Sequence, residues 1–347
     1  MSSVAVVIMN WNGRELLEKF LPSVVEHTPP ERAEIIVADN GSDDDSIAML
    51  KKKFPSVRRL VLKENLGYAG GYNRAMKEIK AEYAVFLNSD VEVTPGWLDA
   101  PLAAMEADPA IACVQPKLIF YHHRDFFEYS GAAGGAIDKY GYPFCRGRIF
   151  SSLEEDRGQY DTAVDIFWAS GACLFIRTQL FKEVGGFDTT FFMHQEEIDL
   201  CWRFKSRGYR VLCVPQSVVY HVGGATLPGK DAMKTLFNFR NNLITLYKNL
   251  PEKRLKHVMR VRFWLDYLAA FKFLLTGDYR SAIAIHLAHR AFYLGKPQYE
   301  AARRENLAKT TVHTIPEIMQ GSILFHYYLL RKRRFSNFRT PDVIKFN

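Results

Sequence analysis

The chain has 347 residues, 48% of them hydrophobic and 24% charged, which suits one large domain or a domain of about 230 residues with an appendage. The formal charge of +8 is uneven: residues 231–347 carry 21 Lys+Arg against 8 Asp+Glu, leaving 25 against 30 before them, so an anionic partner is expected only at the tail. Five cysteines without a CxxC pair exclude a disulfide framework and a zinc site, and no secretory n-region or run of about 18 uncharged apolar residues is present, so a cytosolic chain, peripheral at most on the inner membrane face, is expected.

Val4–Met9 is a continuous apolar run, as a strand buried on both faces requires. AsnTrpAsnGly (10–13) closes it and a helical period follows over Arg14–Glu26. Glu34–Asp39, Val57–Leu62 and Tyr83–Leu87 repeat the strand pattern, with helices expected over Ser46–Phe54 and Gly70–Ile79. Strands alternating with helices at this pace predict an α/β fold with a mainly parallel, Rossmann-like sheet, whose ligands sit at the carboxyl ends of the strands. The glycine-rich stretch Gly131–Gly147 reads as a mobile loop or insertion, and Val164–Trp168 and Cys173–Arg177 as strands. Beyond a helix starting near Glu196, Tyr209–Val214 and Val218–His221 are expected as two strands broken by Pro215. GlyGly (223–224) and ProGly (228–229) mark a boundary, giving units 1–230 and 231–347. The second unit is helical throughout: Thr235–Asn249, Pro251–Leu275, Tyr279–Leu294 and Ile315–Arg334. Trp, Phe and Leu beside Arg and Lys there fit both a packed helical subdomain and a face lying on anionic lipid.

Several strand ends carry groups suited to chemistry. Asp39 in AspAsnGlySerAsp can accept from the imide N–H of a pyrimidine, or simply close an Asx-turn. AsnLeuGlyTyrAlaGlyGlyTyrAsn (65–73) puts Gly67, Gly70 and Gly71 where backbone approaches a ligand at a helix start. Asp90, behind Asn88 and Ser89, supplies the hard oxygen that Mg²⁺ or Mn²⁺ prefers when phosphates complete the shell, and His221 ends a strand where an imidazole can join it. In the helix after GlyGlyPheAspThrThrPhePheMet, Asp199 and Arg203 lie one turn apart and can pair. Glu197 is left without a partner and is the candidate base; a one-residue slip would give that role to Glu196.

The ordered set NWNG, DNGSDD, NLGYAGGYN, LNSDVEV, WASGAC, GGFDTTFFMHQEEIDLCWR and VVYHVGG resembles inverting glycosyltransferase family two over residues 1–250, most closely bacterial rhamnosyltransferase-like members that build cell-surface polysaccharide. The resemblance implies a GT-A fold with a C-terminal helical extension. It also implies a nucleotide-sugar donor (dTDP-rhamnose or a UDP-hexose), a divalent metal, and a glycan or lipid-linked acceptor, with no nucleic acid as partner. By position it makes Asp39 base-binding and puts Asn10, Asn65, Gly67, Gly71, Asn73, Asn88 and Ser89 in the donor site. Asp90 and His221 become metal ligands, Trp168 shapes the acceptor pocket, and Glu197 is the general base, with Glu196 and Asp199 raising its pKa. Asn88 stands where the family has its first aspartate, and Glu197 where it has aspartate. The competing readings are a sugar nucleotidyltransferase, which lacks its GxGxRxxP-like loop here, and a non-catalytic basic scaffold binding membrane or nucleic acid.

Overall fold

The computed structural model describes residues 3–223 and 232–338. The first half runs β1 (Val4–Asn10), α1 (Arg14–His27), β2 (Ala33–Asp39), α2 (Ser46–Lys53), β3 (Arg58–Val61), α3 (Gly67–Ala75), β4 (Tyr83–Asn88), β5 (Val91–Val93), α4 (Asp99–Ala107) and β6 (Ile111–Phe120). Four short strands follow, β7 (Gly135–Asp138), β8 (Pro143–Cys145), β9 (Arg148–Ile149) and β10 (Ser152–Leu153). Next come β11 (Val164–Asp165), β12 (Cys173–Arg177), α5 (Thr178–Glu183), α6 (Glu196–Ser206) and β13 (Arg210–His221). The C-terminal part contributes α7 (Ala232–Asn249), α8 (Glu252–Leu275), α9 (Tyr279–Gly295), α10 (Glu300–Ala308) and β14 (Ile318–Met319).

The main sheet has the order β11-β13-β6-β12-β4-β1-β2-β3, with β5 paired to β13. Its β4-β1-β2-β3 side is parallel, and β12 is the antiparallel strand between β4 and β6. Both faces are covered, and strand residues alternate between two cores. Val4, Val6 and Ile8 of β1 enter one, Ala5 and Val7 the other. This two-sided burial is why β1, β2 and β4 read as unbroken apolar runs.

Three expectations give way to tertiary packing. Gly131–Gly147 is no mobile loop: Gly135, Ala136, Ile137, Phe144 and Cys145 are buried, and the segment builds a second sheet of order β10-β9-β8-β7-β14. The helix expected over Ile315–Arg334 is absent; Ile318 and Met319 pair with β7, and only a single turn forms at Phe325–Leu329. Pro316 and Gly321 discourage a helix there, while Ile315, Ile318, Met319, Ile323 and Phe335 bury their side chains in the core that also takes Phe144 and Ile137. β13 is one strand, with a register shift between Val214 and Val218 that absorbs Pro215. The boundary expected at 223–229 falls largely outside the described residues. On either side of it the packing is shared, since Leu243, Ile244, Leu246 and Tyr247 of α7 belong to the same core as α6.

Candidate functional site

A cleft of about 440 Å³ opens at the carboxyl ends of β1, β4 and β13. A larger hollow of about 630 Å³ lies at the opposite edge, around the first residues of β2 and β3, and gathers no comparable group of acids and imidazoles. The cleft is bordered by Asn88, Ser89 and Asp90 on one side, Glu196 and Glu197 on another, and His221, with Asn40, Asn65, Gly67 and Tyr68 on the β2–α3 side.

Parallel-sheet geometry brings Asp90 and His221 together from positions far apart in the chain. His221 Nε2 lies 3.1 Å from Asp90 Oδ1, and 3.5 Å from Asn88 Nδ2. On its other side, His221 Nδ1 sits 3.2 Å from Oε1 of Glu128, whose Oε2 accepts from the Ser130 N–H at 2.5 Å. Burial works against charging this imidazole, but Asp90 and Glu128 outweigh it and push its pKa up to about 10. Burial likewise favours neutral Asp90, and the neighbouring His221 overrides it, holding the carboxyl below its ordinary range. Glu128 carries little signal in the sequence, being an acid set among aromatics in PhePheGluTyr, three residues before Gly131.

The acids of α6 diverge as the helical spacing predicts. Asp199 is fully buried, accepting from Arg203 Nε at 3.0 Å, Lys248 Nζ at 2.9 Å and Asn249 Nδ2 at 2.8 Å. It faces α7 and does not reach the cleft, so it plays no part in raising the pKa of Glu197. Glu196 and Glu197 do reach it, and each keeps one carboxylate oxygen without a hydrogen-bond partner. Burial pushes Glu197 up to about 7, against backbone N–H groups at the helix start that favour its charge. Burial and then the charge of Glu197 push Glu196 well above the ordinary carboxylate range.

α6 starts from a strained turn. Phe192, His194 and Gln195 have φ of 60°, 67° and 75°, conformations costing non-glycine residues about 1–2 kcal/mol each. Gly67, at φ 69°, lets the β3–α3 loop touch this turn, where a Cβ would stand 2.5 Å from the Phe192 carbonyl oxygen. The N–H of Tyr68 donates to that same oxygen at 2.8 Å.

Of the remaining expected residues, most lie apart from the cleft surface and Asn65 lines it. Asp39 is buried, its oxygens accepting from Asn10 Nδ2 (2.8 Å), Ser42 Oγ (2.6 Å) and Ser42 N (3.1 Å), so it anchors its own turn, and Asn40 is the residue facing the cleft. Asn10 is enclosed with it. Asn65 lines the cleft and ties Asn40 to Gly67, its Oδ1 accepting from both. Gly71 packs on Met9, and Asn73 bonds both backbone groups of Phe187, fixing the turn before α6. Trp168 is a correction: its indole covers Gly135 in the interior and donates to Ala136 O at 2.9 Å, while Ser170, Gly171 and Ala172 form the cleft wall. Cleft residues not singled out from the sequence include Trp11, Tyr68, His194 and Lys234.

The donor set suits a hard divalent cation bound with substrate phosphates. Asp90 and His221 converge, Asn88 and Ser89 are adjacent, and among the described residues no group of three His, Cys, Asp or Glu side chains is arranged to hold a metal by itself.

A family model described as glycosyl transferase family 2 matches residues 5–185. The N-acetylglucosaminyl-diphospho-decaprenol L-rhamnosyltransferase of Mycobacterium tuberculosis is 29% identical over 235 residues, covering 62% of this chain and 75% of that protein. The O-antigen biosynthesis protein RfbC of Myxococcus xanthus is 26% identical over 224 residues, 63% of this chain but 17% of its own length. Among solved structures, GalNAc-T7 with UDP, GalNAc and Mn²⁺ superposes with a TM-score of 0.59 at 16% identity, covering 94% of this chain and 56% of that one. At that identity the likeness speaks for the shared GT-A fold.

Proposed function

Because the chain belongs to glycosyl transferase family 2, we propose that this glycosyltransferase moves a sugar, with inversion, from a nucleotide-sugar donor to a hydroxyl of a glycan or lipid-linked acceptor in cell-surface polysaccharide synthesis. The observation that carries the reading is the Glu197 carboxylate, whose Oε2 has no hydrogen-bond partner, bordering the same cleft as the Asp90–His221 pair. Glu197, with its pKa near 7, takes the proton from the acceptor hydroxyl as that oxygen attacks the anomeric carbon from the face opposite the leaving group. The C–O bond to the diphosphate breaks in the same step, so configuration inverts once. Asp90, and His221 once it gives up its Nε2 proton, would hold Mg²⁺ or Mn²⁺ together with the donor's diphosphate, with Asn88 and Ser89 beside them. Such an ion, when bound, supplies Lewis-acid neutralisation of the departing charge. Asn40, Asn65 and Gly67 line the donor side of the cleft.

We take dTDP-rhamnose as the first donor to test, one relative being named a rhamnosyltransferase, and a UDP-hexose as the second, one structural neighbour holding UDP. The test is a panel of UDP-, dTDP- and GDP-sugars with Mg²⁺, Mn²⁺ or EDTA, following nucleoside diphosphate release. No release with any donor at any metal concentration would overturn the reading.

Residues 1–230 carry the acids and His221 of the cleft, and 231–347 are a basic extension, helical over α7 to α10, that rests on the inner membrane face. No described helix is long and apolar enough to cross a bilayer. α8 nonetheless exposes Trp264 (69%), Leu268 (63%), Phe271 (55%) and Leu275 (72%), one stripe at helical spacing. Tyr328 and Leu329 are exposed as well, next in sequence to Arg331–Arg334, a combination suited to anionic lipid.

A further inference from the structure

We propose that Asn241 and Asn242, adjacent on α7, are positioning residues that hold the strained turn from which Glu197 enters the cleft, so that the C-terminal extension completes the catalytic site. This rests on the assignment of Glu197 as base.

Asparagine is a poor helix former, and two in succession on a buried part of α7 need a reason. The turn before α6 supplies it. With φ positive at Phe192, His194 and Gln195, its backbone cannot pair as a strand or a helix would, and several carbonyls turn inward. One atom answers them: Asn241 Nδ2 lies 3.0 Å from Phe191 O, 2.8 Å from Met193 O and 2.9 Å from His194 O. Arg240 Nε donates to Asn241 Oδ1 at 2.9 Å, which fixes the amide with its nitrogen toward the turn. Asn242 Nδ2 donates to Gln195 Oε1 at 3.0 Å and to Gly141 O at 2.8 Å, while its Oδ1 accepts from Arg262 Nη1.

Gln195 is the residue from which α6 springs in a left-handed conformation, one position before Glu196 and two before Glu197. A change in its φ therefore re-aims both carboxylates. Asn241 and Asn242 are 0% and 4% exposed and neither borders the cleft, so any effect on chemistry passes through the turn. Lys248 and Asn249, two turns on, clamp α6 itself through Asp199. Strained backbone persists where its surroundings over-determine it, and here α7 provides those surroundings.

The decisive variant is Asn241→Leu in the full-length protein, which keeps the branched outline of the side chain and removes the donor. Transfer kcat should fall at least tenfold while the donor KM stays within twofold, because the strands carrying Asp90 and His221 are untouched. Asn241→Asp, which keeps the outline and the Arg240 contact but offers no N–H to the turn, should lose at least as much kcat. A kcat within twofold of wild type in Asn241→Leu, a donor KM rising in step with the loss, or a near wild-type kcat in Asn241→Asp would each overturn the proposal. Asn242→Leu, read by the same criteria, takes its place if Asn241→Leu does not accumulate as folded protein. Glu197→Gln measured alongside separates the two readings. If it transfers normally the base assignment falls. If it is inactive while Asn241→Leu is fully active, only the positioning role falls.

Discussion

The adjacent acids at the start of α6 permit a test that distinguishes them. Both are raised by burial, Glu197 to about 7, and the charge of Glu197 adds to the rise at Glu196. Transfer should then rise with pH along a single acid limb centred near 7, reaching roughly one-tenth of its plateau at pH 6, whereas a carboxylate at its ordinary value would already be fully ionised there. Glu197→Gln removes the proton acceptor and should lower kcat by about 10²–10⁴-fold, equivalent to about 3–5 kcal/mol of barrier. Glu196→Gln, which resembles the protonated acid, should keep transfer within about tenfold and leave the limb in place. The same ionisation touches stability. The folded state holds this proton more tightly than the unfolded chain, so the contribution is complete below about pH 4.5 and is lost as pH rises through about 7. Glu197→Gln should accordingly gain thermal stability over wild type at pH 8 and little at pH 4.5. Initial rates of nucleoside diphosphate release between pH 5 and 9, with thermal melts at both ends, make the measurement. An unchanged limb and near wild-type rate in Glu197→Gln, or inactivity confined to Glu196→Gln, would refute the assignment.

Other consequences are local. Gly67→Ala must bear both a left-handed conformation and a Cβ 2.5 Å from Phe192 O, so it should lose more than the roughly 1–2 kcal/mol of strain alone and should also depress kcat. Gly185→Ala, at φ 89° with nothing within 4 Å of the new Cβ, should show the strain cost only; equal losses in urea unfolding would contradict this. Asp266 is fully buried between Arg262, His289 and the Tyr142 hydroxyl, so Asp266→Ala strands a buried guanidinium and should cost about 3–5 kcal/mol of unfolding free energy, where under 1 kcal/mol would argue against the network. Neutralising Arg331, Lys332, Arg333 and Arg334 should weaken co-sedimentation with vesicles containing anionic lipid but not with neutral ones, and unchanged binding would end the surface-patch idea.

How much of this was readable from residue order depends on the range of the interaction responsible. β1, β2, β4 and β12 appear as apolar runs because each is buried on both faces, a property of the segment itself. The pairing of Asp199 with Arg203 followed from spacing on one helix. Spacing could not say that Lys248 and Asn249, some 50 residues on, would claim the same carboxylate and turn it from the cleft. The surroundings of Asp39 and Trp168 are beyond local patterns for a related reason. Their surroundings, Asn10 with Ser42 and Gly135 with Ala136, close over them only when separate segments meet. Ile318–Met319 carried an apolar pattern consistent with a helix and became a strand because β7 offered an open edge.

The sequence by itself determined the alternation of buried strands and covering helices, and with it the sheet edge where Asn88, Ser89, Asp90 and His221 gather, because hydrophobic periodicity is a local code. It also determined that an unpaired acid stands at the start of α6. Only the tertiary structure decided which acid that is and what aims it. Glu128 behind His221, and Asn241 and Asn242 beneath the Phe192–Gln195 turn, act across separations of 93 and about 47 residues. Contacts at that range are set by how the sheet and helices close upon one another, which no local pattern records.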